Sequence, residues 1–340
     1  GVAYSHRNFI TQAIEIRDYF DIRPGGADIS GFPLFALFNS AMGKTTVFPK
    51  MDFTRPADVS PPLFLEAAEH WKADQAFGSP ALWNTVSRWC EDNQKPLPTI
   101  LRAMSAGAPV PAHVLKRVKK IIAAEGEVFT PYGATEALPV ACNSASVVLS
   151  ETAAATRQGR GVCVGGRFKR IRWKVIQISD DPIDSLEDVS EVSAGTIGEL
   201  IVSGPVVTKR YVTQTDANRL AKISDGETIW HRMGDVGYLD EHRRFWFCGR
   251  KSQRVITRDG TLFTVPCESI TNTHPAIYRS ALIGLGDRCN HCDGRVDRVR
   301  SHTPPTLKSA RCNSEVELGA HRTKAIFRLV LLEPVSSVYT

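Results

Sequence analysis

A serine directly ahead of a proline occurs twice in the first hundred residues, at Ser60-Pro61 and Ser79-Pro80. The hydroxyl can accept from a free backbone amide in the first helical turn. Proline in the first helical position lacks an N–H that the helix would leave unpaired in any case. Each pair therefore marks a helix start, and each helix is followed by a short extended segment. Thr99 to Met104 reads as a mostly apolar strand after Pro98, Pro111 to Ala124 as an amphipathic helix, and Val128 to Thr130 as a further short strand. An earlier helix carries Phe9, Ile10, Ala13, Ile14, Ile16, Tyr19 and Phe20 on one apolar face and breaks at Pro24-Gly25-Gly26. Strands alternating with helices predict an α/β fold, a mostly parallel sheet covered on both faces.

From about Arg167 the pattern turns β-rich, with Ile171 to Ile178 and Gly198 to Val202 as the clearest strands, and a small distorted β-barrel is expected. The polar step at Lys251-Ser252 after Arg250 predicts a hinge into a small, mobile α+β domain. The expected division is thus 1–165, 166–250 and 251–340, the last divergent after about 286. A length of 340 residues fits about two domains' worth of chain. The net charge of +6 is scattered rather than clustered, which argues against nucleic acid as a partner. Neither a signal peptide nor an apolar run near the ~20 residues needed to cross a bilayer is evident, so a cytoplasmic protein without a transmembrane segment is expected. The 8 cysteines, several inside apolar segments such as Trp246-Phe247-Cys248, read as reduced structural thiols rather than a disulfide framework.

The stretch Pro131-Tyr132-Gly133-Ala134-Thr135-Glu136 puts an aromatic ring, a bare glycine, a hydroxyl and a carboxylate into what reads as one short turn. Downstream follow Gly198-Glu199-Leu200-Ile201-Val202-Ser203-Gly204-Pro205, Gly234-Asp235-Val236-Gly237-Tyr238 and Gly249-Arg250. In order and approximate spacing this set resembles the AMP-forming adenylating superfamily of acyl-CoA synthetases, luciferases and peptide-synthetase adenylation domains. Phe32-Pro33-Leu34-Phe35-Ala36-Leu37-Phe38, Phe77-Gly78-Ser79-Pro80-Ala81-Leu82-Trp83, Ser105-Ala106-Gly107-Ala108-Pro109 and His231-Arg232-Met233 add a likeness to the olefin-pathway β-lactone synthetases.

Adenylation brings together two anions, a carboxylate and the α-phosphate of ATP, and the resemblance implies how the chain manages it. Glu136 would hold Mg2+, a cation that favours one or two carboxylates plus phosphates and water. Thr135 would hydrogen-bond the phosphate or the acyl oxygen, and together with Glu136 it forms the implied catalytic pair. Gly133 and Ala134 would let the backbone approach the phosphate. Tyr132 would stack on adenine, with Gly107, Ala108 and Pro109 as the facing wall. Asp235 would clamp the ribose, Arg250 would reach the sugar or phosphate, and Phe247 would pack beneath the nucleoside. Ala36 stands where many members of the superfamily have histidine, and the β-lactone synthetases resemble this chain in lacking that imidazole. Phe35, Phe38 and Met42 would then line a fatty-substrate channel. The implied reaction is adenylation of a long-chain β-hydroxy acid, whose hydroxyl then closes a β-lactone and expels AMP. A fatty acyl-CoA or acyl-AMP ligase and an inactive nucleotide-binding remnant are the alternatives. Members of the resembling group act in an assembly of hydrocarbon-biosynthesis enzymes.

Departures from the pattern are specific. Gly1 to His6 match residues that follow the superfamily's phosphate loop, so that loop has no counterpart in the 340 residues. Either the sequence is a partial product or the protein has lost that half, and apolar sheet surface left unpaired would favour a homo-oligomer. Arg210 and Arg243 replace expected turn glycines, at a cost on the order of 1 kcal/mol wherever φ must be positive. Gly166-Arg167 replaces Arg-Pro. The segment from Asp287 to Lys324 lacks periodicity and precedes a plausible strand, Ile326 to Leu332. Neither Lys308 nor Lys324 has the setting of the superfamily's carboxyl-terminal lysine. Cys289, His291, Cys292, Cys312 and His321 have spacing too irregular to predict a zinc site.

Overall fold

The computed structural model describes residues 1–257, 260–275, 277 and 279–284. Five strands, β1 (Ala27–Ser30), β2 (Thr45–Val47), β3 (Gln75–Gly78), β4 (Arg102–Ser105) and β5 (Glu127–Ala134), pair in parallel in the order β2-β1-β3-β4-β5. Helices α1 (His6–Phe20), α2 (Pro33–Ala41), α3 (Pro61–His70), α4 (Pro80–Asn93) and α5 (Ala112–Ile121) cover this half. Successive strand residues face opposite sides. Ala27, Ile29, Ala76, Ala103 and Val128 therefore enter a core with Phe64, Trp83, Leu115 and Val118 of α3 to α5. Phe77, Met104 and Phe129 enter the other, with Ala13, Phe20 and Phe38 of α1 and α2. Both faces are covered, as the alternation predicts.

Beyond β5 the sheet turns antiparallel without a break. Strands β6 (Ala137–Ser144), β7 (Val162–Arg167), β8 (Arg172–Ile176), β9 (Gly198–Ser203), β10 (Lys222–Asp225), β11 (Thr228–Leu239) and β12 (Phe245–Arg250) extend it as β6-β7-β12-β11-β9-β8, with β10 on β11. Bulges interrupt β11 against both β9 and β12. Gly237 lies at such a crossing, where a Cβ would fall 2.0 Å from the Trp246 carbonyl oxygen. A hairpin of Val255–Thr257 and Gly260–Leu262 and a helix Thr264–Thr271 follow.

Local chemistry accounts for the element starts, with two adjustments. Ser79 accepts from the Leu82 amide, whereas Ser60 sits at its N-cap with no side-chain bond, so Pro61 and packing start α3. The expected apolar face of α1 is only partly buried: Ile10 is 57% exposed, while Asn8, Gln12 and Glu15 are buried. Those polar groups are satisfied. The Asn8 amide donates to the Pro205 carbonyl at 2.8 Å, and Glu15 accepts from Arg170 at 2.7 Å, tying α1 to the antiparallel half. Cys90, Cys142, Cys163, Cys248 and Cys267 are free and buried, matching the reading as structural thiols. The cysteine–histidine set from Cys289 to His321, Lys308, Lys324 and the strand expected from Ile326 to Leu332 lie outside the described residues.

Of the two arginines in glycine positions, Arg243 has φ of 58° and Arg210 is not among the residues with positive φ. Arg243 closes the turn between β11 and β12, its amide donating to the Asp240 carbonyl at 2.8 Å. Its Cβ crowds its own backbone there. Arg243→Gly is expected to raise unfolding stability by about 0.5–1 kcal/mol in urea denaturation, the gain tempered by the freer unfolded chain. A loss of stability would show that the side chain contributes more than its backbone strain removes.

Candidate functional site

The motif expected as one short turn is mostly strand. Pro131 to Ala134 complete β5, Thr135 and Glu136 alone form the turn, and β6 begins at Ala137. A bulge between Tyr132 and Ala134 shifts the register. A Cβ on Gly133 would lie 2.7 Å from the Ala137 carbonyl oxygen and 2.9 Å from Leu138 Cδ1. Glycine is thus required by the hairpin's own close approach. Ala134, half-buried, pairs with Ala137 beside it.

From this hairpin Tyr132 reaches across to the antiparallel half. Its hydroxyl donates to Asp235 Oδ2, and Arg250 Nη1 donates to Asp235 Oδ1 at 2.8 Å and to the Met233 carbonyl at 3.2 Å. Asp235 and Arg250 are register partners on β11 and β12, so the sheet itself holds that ion pair. Phe247 on β12 places its ring 6.4 Å from that of Tyr132, and Phe245 lies 6.1 Å away. Burial pushes the Asp235 carboxyl up, while the Tyr132 bond and Arg250 pull it back. The Asp235 side chain is 6% exposed and that of Arg250 52%, so a buried carboxylate stands behind an accessible guanidinium.

Glu136 anchors a second group. Its carboxylate accepts from the Tyr211 hydroxyl at 2.7 Å, and its carbonyl accepts from the Thr208 amide at 2.8 Å and hydroxyl at 3.1 Å. Lys222 donates to the Thr208 carbonyl at 2.6 Å, and its ammonium lies 5.6 Å from the Tyr211 ring centroid. Burial alone would raise the Glu136 carboxyl, but the Tyr211 bond together with His231 and Lys222 holds it below its ordinary value. Burial pushes Lys222 down to about 8, against the pull of Glu136. Burial and then Lys222 push His231 down to about 3, and its Nδ1 lies 3.0 Å from the Ala221 carbonyl oxygen. Arg250 acts on Tyr211 as well, opposing the upward push of burial and Glu136. The two groups therefore share one electrostatic neighbourhood. Thr135 is exposed, its carbonyl accepting from the Tyr4 hydroxyl at 2.5 Å.

Gly107, Ala108 and Pro109 are exposed on the loop after β4. That strand neighbours β5, and their last register pair, Met104 with Phe129, lies three residues before Tyr132. Among the described residues no hydrogen bond joins that loop to Tyr132, whose hydroxyl is engaged by Asp235. Phe35, Phe38 and Met42 come together around an apolar cavity that Ile16, Phe77 and Met104 also line.

The sequence profile of the AMP-binding enzyme family matches residues 1–212. The chain belongs to that family. It is 44% identical over 291 residues to an olefin beta-lactone synthetase of Xanthomonas campestris pv. campestris, covering 84% of this chain and 51% of the relative. It is 42% identical to the olefin beta-lactone synthetase of Stenotrophomonas maltophilia, covering 84% of this chain and 52% of that one. The chain thus spans about half the length of these curated relatives. Among solved structures, O-succinylbenzoate Coenzyme A Synthetase (MenE) from Bacillus subtilis, in complex with ATP and magnesium ion, matches in fold at a TM-score of 0.68 and 19% identity, over 90% of this chain and 58% of that one.

In this AMP-binding family member, sequence reasoning left Thr208, Tyr211, Lys222 and His231 without roles around Glu136. The signals were present: Tyr211 ends the Gly-Pro-x-Val-x-x-Gly-Tyr pattern, and His231 opens the His-Arg-Met run. Lys251, expected at a hinge, donates to Glu199 at 3.1 Å and to the Ser179 carbonyl at 2.8 Å, while Ser252 is exposed. Arg232 shares Glu199 at 2.6 Å with both side chains 1% exposed, so a buried charge fastens the last residues before the terminal segment. Among the described residues no cluster of three His, Cys, Asp or Glu side chains could hold a metal by protein alone. A lone ionised carboxylate such as Glu136 still suits magnesium, which takes its remaining ligands from phosphates and water.

Lys222 gives this site a pH signature. Its ammonium titrates near 8 in the fold, below its ordinary value of ~10.5, so the folded chain binds fewer protons than the unfolded chain between those limits. Stability from this group is lost as pH falls through about 8 and regained as pH rises toward ~10.5. Relative to Lys222→Met, the wild-type chain is expected to gain on the order of 2 kcal/mol between pH 7 and ~10.5, read from paired denaturation curves. A flat difference across that range would mean the ammonium is not desolvated.

Proposed function

We propose that the chain carries the nucleotide-binding face of an enzyme that adenylates a long-chain β-hydroxy acid and closes it to a β-lactone. Tyr132, Asp235 and Arg250, joined through one carboxylate between the two halves of the sheet, are the observation that carries this reading. Asp235 spends one acceptor position on each oxygen and keeps lone pairs for two vicinal ribose hydroxyls. Tyr132 and Phe247 offer aromatic surface to a purine, with Gly107, Ala108 and Pro109 as the facing wall. The beta-lactone synthetase relatives support the same subtype.

In the proposed reaction a carboxylate oxygen of the acid attacks the α-phosphorus of ATP, and pyrophosphate leaves with the electron pair of the cleaved bond. The β-hydroxyl oxygen then attacks the acyl carbon, its proton is released, and AMP departs with the acyl–phosphate bonding pair. Placing both reacting groups in one molecule gives a high effective molarity and dispenses with coenzyme A. Magnesium held by Glu136 would neutralise phosphate charge. Tyr211 and Lys222 keep that carboxylate ionised, and Thr135 would face the phosphate or acyl oxygen from the same turn. Phe35, Phe38 and Met42 would receive the alkyl chain, and Lys251 and Ser252 would serve as the hinge to the domain that follows. Exposed Ile10, Leu34 and Leu37 support self-association, and the proposed setting is a cytoplasmic hydrocarbon-biosynthesis assembly.

Calorimetric titration with AMP tests the nucleotide site directly. The wild-type chain is expected to bind, and Asp235→Ala to bind at least about tenfold more weakly, as loss of hydrogen bonds to a buried carboxylate requires. Equal affinity in the variant would remove Asp235 from the site. Product analysis separates the chemistries: with ATP, Mg2+ and a 2-alkyl-3-hydroxy acid a lactone is expected without coenzyme A. Thioester formed only when coenzyme A is added would assign the chain to the acyl-CoA ligases instead.

A further inference from the structure

The cavity around Phe35, Phe38 and Met42 is apolar except at one place. Asp28 on β1, Asn39 on α2 and Gln75 on β3 line it together, within a wall otherwise built from such side chains as Phe77 and Met104. The strand alternation that sends Ala27 and Ile29 into the opposite core turns Asp28 toward this cavity. Asp28 is 2% exposed, and Asn39, itself 3% exposed, donates to its Oδ2 at 2.7 Å. Gln75 is its register partner across β1 and β3. The other carboxyl oxygen, Oδ1, is buried without a hydrogen-bond partner.

An unpaired carboxyl oxygen in an apolar wall is costly, because water must be stripped from it with nothing given in return. A plain alkyl chain filling the cavity would leave it unpaired. A hydroxyl is both donor and acceptor, so it completes the oxygen whether the carboxyl is ionised or protonated. Burial pushes the Asp28 carboxyl up, with Asn39, Gln75 and Lys44 opposing.

We propose that Asp28 is a specificity-determining residue, its free carboxyl oxygen taking the hydroxyl of a hydroxylated acid inside the cavity and disfavouring the acid that lacks one. The role rests on reading this cavity as the acyl site, and it assigns the choice of substrate to a residue outside the nucleotide-binding motifs. Asp28 is a binding residue in this proposal and takes no part in bond making.

The test compares binding of 3-hydroxydecanoate and decanoate to the wild-type chain, Asp28→Asn and Asp28→Leu by calorimetry. Wild type is expected to prefer the hydroxy acid by about tenfold or more, the range of one hydrogen bond to a buried group. Asp28→Asn keeps a hydrogen-bonding atom in place and should keep most of the preference. Asp28→Leu should lose it, weakening the hydroxy acid and tightening decanoate. A variant that merely loosened packing would weaken both acids together, and that outcome overturns the assignment. So does an unchanged ratio in Asp28→Leu, or equal binding of the two acids by wild type, which needs no variant to fold. If wild type binds neither acid, the acyl reading of the cavity falls and this inference with it.

Discussion

One carboxylate joins the two halves of this molecule's chemistry. Asp235, buried on β11, accepts from Tyr132 of the parallel half and from Arg250 of the antiparallel half. A buried carboxylate is costly to desolvate, and those two donors are what make Asp235 tolerable where it stands. Neither strand set could assemble this constellation alone. The parallel strands bring Tyr132 to the end of β5, and the bulged β11–β12 ladder brings Asp235 opposite Arg250.

Around that link the second group, centred on Glu136, is arranged to keep a carboxylate charged. Tyr211 and Lys222 do so by a hydrogen bond and by charge, while Lys222 is itself depressed by burial. Such mutual tuning needs enclosure: exposed to water, the same residues would titrate as independent surface groups. The Glu199–Arg232 pair with Lys251 applies the same principle at the far end of the sheet, where one buried acid holds two cations. Asp28 differs in its surroundings: Glu199, whose Oε1 also lacks a partner, is flanked by two cations, whereas Asp28, with Oδ1 unpaired, lines an apolar cavity where the proposed substrate hydroxyl would complete it.

Much of this was legible in order and spacing. The serine–proline pairs marked α3 and α4, the alternation of elements gave a covered parallel half, and three residues that the motifs single out, Tyr132, Asp235 and Arg250, are brought together by the fold. Arg243, flagged as occupying a glycine position, does carry a positive φ. What was not legible had local causes. Sequence does not show the Ala137 carbonyl folded against Gly133, which makes glycine a requirement of the hairpin itself. The α1 face was drawn through Ile10 because periodicity counts apolar residues, whereas Asn8 and Glu15 are buried by partners about 150 to 200 positions away.

What the sequence determined by itself was local and covalent: where helices begin, where glycine is expected, and which ionisable and aromatic groups stand at motif positions. Those properties depend on near neighbours and on residue type. Only the tertiary structure decided that Tyr132 would meet Asp235, that Lys222 and His231 would surround Glu136, and that Asp28 would face an apolar cavity. Each of those depends on which residues distant in sequence exclude water from one another, and desolvation is a property of the enclosed volume rather than of the chain that encloses it.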